Sequence, residues 1–260
     1  EDESLKYFQN ASLLKPKDIK SLNIIANILF KLNKLDESKL YYKKAIALNS
    51  NLSYLYNNLG LVYDKLGNKN KAISNYNKAL KIKKDFAETY FNLGSTFIDK
   101  EKYTDSIHYL RKAIKYKKNY FEAYNNLGVS YDKLGLYDEA LKNYKKSISL
   151  NRKYIEPYFN AGVLLNDLGM YKESFEYLNE VVNISPVYPR AYFYLGLLNC
   201  NLDNYKKAIF YFKEAKKNDP NNVSIDHMLN SVEGINLPLP PIKYIINLFN
   251  DYAQKFDDHL

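Results

Sequence analysis

Hydrophobic positions along the chain recur with a period of 34 residues. In five periods a tyrosine is followed three and four residues later by an apolar residue and a glycine, which places all three on one face of a helix, and one period earlier Leu22, Ile25 and Ala26 take the same places. The glycine of this set recurs in register at Gly60, Gly94, Gly128, Gly162 and Gly196. Counted by the same period, six complete repeats begin at Ile19, Ser53, Ala87, Phe121, Ile155 and Pro189. A period of 34 residues with this spacing is typical of an array of helix-turn-helix units.

A second pattern, a small residue, an aromatic residue and another small residue, follows in the same period and predicts the second helix. It is seen first at Ala72, Tyr76 and Ala79. Because Gly60 has no side chain, we expect the second helix to approach the first closely at that point. Gly67 predicts a left-handed residue that ends the first helix. Two later repeats have glycine at the same offset, at Gly135 and Gly169.

The ends of the chain depart from the repeat. The pattern near the start matches a second helix, so we expect its first helix to precede residue 1. Near the other end, Asp226 and Asn230 replace the aromatic residue and the glycine, which predicts the polar cap that a repeat array needs. The predicted organisation is a truncated repeat at 1–18, six complete repeats at 19–222, a capping helix at 223–236, and a Pro-rich linker with an amphipathic helix at 237–260.

These motifs resemble those of the tetratricopeptide repeat proteins over roughly nine-tenths of the chain. Pentatricopeptide arrays are a near alternative, but they lack this set of glycines and alanines. The resemblance implies an all-α fold, a right-handed α-solenoid of helix-turn-helix repeats. It also implies that the first helices line a concave groove and that the second helices form the outer wall. Such proteins bind protein or peptide partners.

An asparagine stands two residues before the glycine in four consecutive repeats, at Asn58, Asn92, Asn126 and Asn160. One helical turn earlier, three of these repeats carry an acidic residue, at Glu88, Glu122 and Glu156. A primary amide offers both donors and acceptors, so it can pair with the backbone of an extended peptide whatever side chains that peptide carries. We name these asparagines the amide ladder. It is similar to the asparagine ladder of the O-linked N-acetylglucosamine transferases, whose groove holds extended peptides.

Four further residues are expected to lie near the ladder in the groove: Asn57, Asn125, Lys65 and Lys133. Their mixed charge argues against a uniformly acidic or basic ligand. The alternative is structural, because the same amides could form hydrogen bonds within a helix or between repeats.

Composition and charge add few candidate functions. The net charge of +9 comes mainly from lysine runs predicted on the outer wall, and arginine is scarce. Nucleic-acid binding is the outside alternative, and a solvated lysine face is favoured over it. No catalytic constellation, metal-ligand cluster or phosphate-binding loop is visible, so we expect no cofactor and no enzymatic activity in this part of the protein. Apolar stretches are too short to span a membrane, and the lone Cys200 favours a cytoplasmic location.

The last thirteen residues, 248–260, read LFNDYAQKFDDHL. They resemble the LFDxYAxxFDxHL segment of bacterial proteins in which tetratricopeptide repeats precede a predicted S-adenosylmethionine-dependent methyltransferase domain. Asn250 departs from the usual aspartate. The resemblance implies that the repeats form the recruiting arm of such an enzyme. The alternative is an amphipathic helix that caps the last repeat.

Overall fold

The structure is a computed structural model that describes residues 17–234 of the 260-residue chain. Residues 1–16 of the half repeat predicted at 1–18, and the linker and amphipathic helix predicted at 237–260, lie outside the described residues. Within the described range there are thirteen α-helices and no strands: α1 (Ile19–Lys31), α2 (Leu35–Leu48), α3 (Ser53–Lys65), α4 (Lys69–Ile82), α5 (Ala87–Ile98), α6 (Tyr103–Tyr116), α7 (Phe121–Lys133), α8 (Tyr137–Leu150), α9 (Glu156–Asp167), α10 (Tyr171–Ile184), α11 (Pro189–Asn201), α12 (Tyr205–Asn218) and α13 (Val223–Val232).

Successive helices pair as antiparallel hairpins, one for each 34-residue repeat, and α13 follows the last hairpin. We number these hairpins repeats 1 to 6. The chain divides into two compact units, unit 1 ending at Leu150 and unit 2 beginning at Asn151. Unit 1 contains repeats 1 to 4 up to the end of α8, and unit 2 contains repeats 5 and 6 with α13. The all-α solenoid class predicted from the sequence is confirmed.

The two helices of a hairpin meet where the first helix has its glycine. A Cβ atom added at Gly128 would lie 2.6 Å from Cδ1 of Tyr144, and one added at Gly94 would lie 2.6 Å from Cγ of Leu110. Tyr144 and Leu110 are fully buried, so neither can move aside into solvent. The glycine is therefore required for close packing, as the sequence pattern predicts.

Three hairpins have a serine as the first small residue of the second helix, and in two of them it adds a hydrogen bond at the same crossing. The Ser38 hydroxyl donates to the carbonyl of Ala26 at 2.8 Å, and the Ser174 hydroxyl donates to the carbonyl of Gly162 at 2.7 Å. Ala26 stands at the glycine position of repeat 1. These buried bonds tie the second helix to the backbone of the first.

The turn inside each hairpin uses one residue in the left-handed region. Gly67 has φ +76°, and the N–H of Asn68 donates back to the carbonyl of Tyr63 at 2.9 Å. This geometry satisfies a carbonyl that the helix end would otherwise leave unpaired. The same offset is left-handed in every repeat, although three repeats do not use glycine: they carry Asn33, Glu101 and Asp203, with φ of 60°, 57° and 56°.

Each hairpin buries its apolar face against the next hairpin in the same unit. In unit 1, Leu22 and Tyr42 of repeat 1 share a core with Leu55 and Leu59 of repeat 2. In unit 2, Phe159 and Leu178 share a core with residues of α11. Because every core lies between neighbours, a unit needs no single central core. No helix within residues 17–234 is both long and apolar enough to cross a bilayer.

Replacing Gly94 by Ala should destabilise the fold. The added methyl group would overlap Leu110, and overpacking of this kind costs about 1–3 kcal/mol, while alanine regains about 1 kcal/mol of helix propensity. We expect a net loss of up to about 2 kcal/mol in the free energy of unfolding, measured by chemical denaturation. In a Leu110→Ala background the penalty should shrink, because the overlapping side chain is gone. If Gly94→Ala lowered the unfolding free energy equally in both backgrounds, the added methyl group and the Leu110 side chain would not compete for space.

Replacing Glu101 by Gly should stabilise the fold by about 1 kcal/mol, because a left-handed conformation is costly for a residue with a Cβ atom. Gly135→Ala is the matched control. No atom lies within 4 Å of the Cβ added at this position, so the expected decrease in unfolding free energy, also about 1 kcal/mol, reports backbone strain alone. Thermal and denaturant unfolding of both variants tests the pair, and a destabilised Glu101→Gly protein would contradict the account.

Candidate functional site

The amide ladder of unit 1 lies on the first helices α3, α5 and α7. Asn58, Asn92 and Asn126 each occupy the same position on one of these helices, and each is half-buried. Helix α5 contacts both α3 and α7, so the three amides are carried by adjacent first helices. Asn160 is half-buried on α9 and belongs to unit 2.

Asn57, beside the ladder, forms the centre of a hydrogen-bonded cluster. Its Oδ1 accepts from the hydroxyl of Thr89 at 2.9 Å and from Nδ2 of Asn92 at 3.0 Å. Its Nδ2 donates to Oδ1 of Asn58 at 3.2 Å. Thr89 is fully buried and Asn57 is 5% exposed. One buried amide therefore orients two ladder amides and joins repeat 2 to repeat 3.

A similar arrangement occurs one repeat later. Asn125 Nδ2 donates to Oδ1 of Asn126 at 3.3 Å, and Nδ2 of Asn126 donates to the hydroxyl of Ser95 at 2.9 Å. At the other end, Nδ2 of Asn58 makes a long contact of 3.5 Å with Oδ1 of Asn27 in repeat 1. Hydrogen bonds thus connect the ladder amides to neighbouring first helices throughout unit 1.

The structure corrects the expected placement of Asn57 and Asn125. Both were expected to face an open groove, but both are buried, with 5% and 4% exposure. Each precedes a ladder asparagine by one residue, a rotation of about 100° around the helix, and so turns toward the neighbouring first helix. Two polar partners of the asparagines were not predicted from the sequence. Thr89 lies on the next first helix, 32 positions after Asn57, and Ser95 lies on the preceding first helix, 31 positions before Asn126.

The ladder asparagines differ in how much of their hydrogen-bonding capacity remains. A primary amide has two N–H donors and two acceptor lone pairs. Asn58 and Asn126 each use the oxygen and one N–H on neighbours. Within residues 17–234, the side chain of Asn92 makes one hydrogen bond, through its nitrogen to Asn57. Its carbonyl oxygen and second N–H are thus unused by this part of the chain.

The acidic residues lie beside basic and aromatic groups. Glu88 is exposed, and the ammonium of Lys117 lies 4.0 Å from its carboxylate and 4.0 Å from the centre of the Tyr120 ring. Burial raises the pKa of Tyr120, and the nearby carboxylates of Glu122 and Glu88 raise it further. Glu122 is half-buried. An exposed pair of this kind contributes little to stability, which leaves Glu88 accessible to a ligand.

The predicted lysines lie at the C-terminal ends of first helices. Lys65 and Lys133 are the last residues of α3 and α7 and are exposed. A lysine is favourable there because the helix end carries partial negative charge. The ammonium of Lys65 also lies 5.2 Å from the ring centre of Phe30.

In unit 2 the same helix positions change character. Glu156 and Asn160 on α9 continue the acidic and amide pattern, but α11 carries Arg190 and Tyr194 at the corresponding places. The Arg190 guanidinium lies 4.5 Å from the ring centre of Phe159. Helix α11 therefore presents a cation and an aromatic ring at the positions where the first helices of repeats 3 to 5 present a carboxylate and an amide.

The other candidates for chemistry in residues 17–234 are metal ligands, the Cys200 thiol and the tyrosines that interrupt lysine runs. No three or more His, Cys, Asp or Glu side chains converge within 17–234 to hold a metal ion. Burial raises the pKa of the half-buried Cys200 thiol, which lowers its reactivity. Both tyrosines that interrupt lysine runs, Tyr116 and Tyr144, were expected at core positions of the repeat. Tyr144 is buried, but Tyr116 is 44% exposed because it is the last residue of α6, and its ring stacks on Tyr90 with 5.6 Å between ring centres.

Several solved structures have a similar fold. The Cut9 and Hcn1 complex of the APC/C matches with a TM-score of 0.75 and 18% identity, over 89% of this chain and 46% of that chain. PilF of Pseudomonas aeruginosa matches with a TM-score of 0.72 and 17% identity, over 82% of this chain and 97% of that chain. YrrB, described as a TPR protein with an unusual peptide-binding site, matches with a TM-score of 0.57 and 24% identity, over 72% of this chain and 96% of that chain.

A search of curated proteins found no match. Models of the tetratricopeptide repeat match residues 53–86, 121–154, 155–188 and 189–222, and a TPR repeat model matches 26–67 and 94–135. The matches together cover 26–86 and 94–222, well over half of the chain. Repeats and structural neighbours together support a protein–protein interaction scaffold. The chain belongs to the tetratricopeptide repeat family.

Proposed function

We propose that unit 1 binds an extended peptide segment across α3, α5 and α7, with Asn92 as its central contact. One observation carries the proposal: Asn57 holds Asn92 through its nitrogen, and the carbonyl oxygen and second N–H of Asn92 have no partner within residues 17–234. An oriented amide with a spare donor and acceptor matches the N–H and C=O of a peptide backbone. Pre-orientation also lowers the entropy lost on binding.

The binding should be modest and tolerant of peptide sequence. Each hydrogen bond contributes about 0.5–1.5 kcal/mol net, so a few of them provide only a few kcal/mol. Side-chain contacts with the exposed Glu88 and with Lys65 and Lys133 would add selectivity at the edges of the site. The peptide-binding site named for YrrB supports the proposal by analogy of fold.

The proposed site has two kinds of residue. Asn57 and Asn125 are buried supports that orient the ladder. The residues proposed to contact ligand are Asn58, Asn92, Asn126, Glu88, Glu122, Lys65 and Lys133 in unit 1, with Asn160 and Glu156 proposed for unit 2. We propose an extended peptide rather than nucleic acid as the ligand, because mixed charges and neutral amides do not form a phosphate-binding surface.

The repeats are further proposed to be the recruiting arm of a larger cytoplasmic protein, most simply a methyltransferase. The support is the sequence of residues 248–260, which lies outside the described residues, and the lone thiol of Cys200. A coding sequence that continues past Leu260 into a strand and an acidic glycine-rich turn would support the methyltransferase. Further repeats there would contradict it, as would a stop codon.

Stability measurements should separate the buried amides from the ladder. Asn57→Ala removes the acceptor of the fully buried Thr89 hydroxyl, so we expect a loss of about 1–3 kcal/mol. Asn92→Ala leaves Asn57 still bonded to Thr89, so the expected loss is below about 1 kcal/mol. Denaturant unfolding of the two variants gives the comparison. Equal large losses would mean that the ladder is purely structural.

Peptide capture should depend on Asn92. Peptides first selected on an array with the wild-type protein would be titrated by fluorescence anisotropy against Asn92→Ala. Loss of one or two hydrogen bonds should weaken binding about 5- to 30-fold. Asn77→Ala, on the exposed face of α4, is the matched control and should bind like wild type. Unchanged affinity in Asn92→Ala would contradict the proposal.

A further inference from the structure

The residue just before the start of each 34-residue repeat is apolar or aromatic for repeats 2 to 6, and it is polar before repeat 1, at Asp18, and before α13. Where the preceding first helix carries a phenylalanine, that aromatic residue packs on it. The ring centres of Phe91 and Tyr120 are 4.9 Å apart in unit 1, and those of Phe159 and Tyr188 are 5.4 Å apart in unit 2. The residues at this position are Leu52, Phe86, Tyr120, Tyr154, Tyr188 and Asn222.

Phe193 is the next phenylalanine in this series, but no tyrosine follows it at the matching place. Asn222 stands there instead, and its side chain is held by three hydrogen bonds. Its Oδ1 accepts from the N–H groups of Ser224 and Ile225 at 3.1 and 3.4 Å, which caps α13. Its Nδ2 donates to Oδ2 of Asp219 at 2.8 Å. Asn222 therefore cannot cover Phe193 as Tyr188 covers Phe159.

A pocket of about 210 Å³ lies at this place in unit 2. Its walls include two aromatic residues from α11 and the buried Ile225 from α13, with polar groups at its rim. The Phe193 ring is supported from behind by Phe212, with 5.7 Å between ring centres. The lining residues that matter here are Arg190, Phe193, Tyr194, Asp219, Asn222 and Ile225.

We propose that this pocket binds an aromatic side chain of a ligand, in the place that a tyrosine ring occupies in the preceding repeat. The size fits, since an apolar cavity of about 150 Å³ is sufficient to hold benzene. Phe193 and Tyr194 offer ring faces and edges, and such aromatic pairs contribute about 0.5–1.5 kcal/mol beyond the area they bury. Because the chain itself fills this position with Tyr188 one repeat earlier, a ring is the occupant for which the local geometry is built.

Charge at the pocket also favours a neutral ring. Arg190 and Asp219 place one positive and one negative side chain among the lining residues, so neither a cationic nor an anionic side chain gains a net attraction. The polar rim suits the hydroxyl of tyrosine. The inference rests on the proposed function in one respect, namely that the ring is supplied by a bound peptide.

The test uses the full chain and a single amino acid derivative, N-acetyl-L-tyrosinamide, followed by ring-current shifts of the Ile225 methyl groups in NMR. Saturable shifts are expected, with N-acetyl-L-leucinamide binding at least several-fold more weakly. Asn222→Tyr should weaken tyrosinamide binding at least tenfold, because the chain would then fill the pocket with its own ring. Asn222→Ser, which keeps a helix cap without filling the pocket, should bind like wild type.

Two further variants keep the outcome decisive. Phe193→Leu removes the ring face but keeps apolar volume, so it should weaken tyrosinamide binding even if Asn222→Tyr unfolds α13. Asn92→Ala should leave tyrosinamide binding unchanged, which separates this pocket from the ladder of unit 1. Absence of shifts at Ile225, or equal tyrosinamide binding by Asn222→Tyr and Asn222→Ser, would overturn the proposal. Either result would do so whether or not unit 1 binds a peptide at Asn92.

Discussion

The close contact between the two helices of each hairpin is the constraint on which the rest of the structure depends. In five hairpins it uses a glycine on the first helix opposite a buried aromatic or leucine residue on the second, as at Gly128 and Tyr144, and in repeat 1 the small Ala26 takes the glycine position. A hairpin closed in this way exposes an apolar face that must be covered by the next hairpin. Stacking within a unit then brings first helices into contact, and the residues beside each glycine meet their counterparts on neighbouring helices.

That contact determines what the asparagines can do. Ladder residues and their preceding neighbours lie near the line where first helices meet, so the position next to the ladder is buried and the ladder itself is half-buried. Asn57 shows the consequence, because its oxygen binds both Thr89 and Asn92. Buried amides hold the helices together and orient their neighbours, and the ligand-binding role that we propose falls to Asn92, whose side chain makes one hydrogen bond within residues 17–234.

Sequence periodicity was sufficient to predict the hairpins, because glycine, alanine and aromatic positions report directly on helix packing. The helices α1, α3, α5, α7 and α11 begin at the residues that start their repeats, and α9 begins one residue later. Turn residues were harder to foresee: Glu101 adopts a left-handed conformation that glycine would favour, since the surrounding hairpin imposes it. The sequence alone predicts which helix positions the asparagines occupy, but it does not predict which asparagines are buried. Burial depends on the side of the helix that a residue faces, and consecutive residues differ by a rotation of about 100°.

The pocket beside Phe193 shows a different limit of sequence analysis. Replacement of an aromatic residue by Asn222 is visible in the sequence, but its effect follows from hydrogen bonds that hold the amide away from the ring. In our proposals each unit has its own recognition surface, with neutral amides in unit 1 and aromatic rings on α11 in unit 2. Both arise where one residue in the repeat differs from its counterparts.

A structure of the protein with a captured peptide would test the central claim most directly. The account predicts an extended backbone across α5, with a peptide N–H within about 2.7–3.2 Å of the carbonyl oxygen of Asn92. Asn57 should keep its bonds to Thr89 and Asn92 in that complex. A peptide seated on the second helices, or one that leaves the Asn92 oxygen without a peptide contact, would contradict the account.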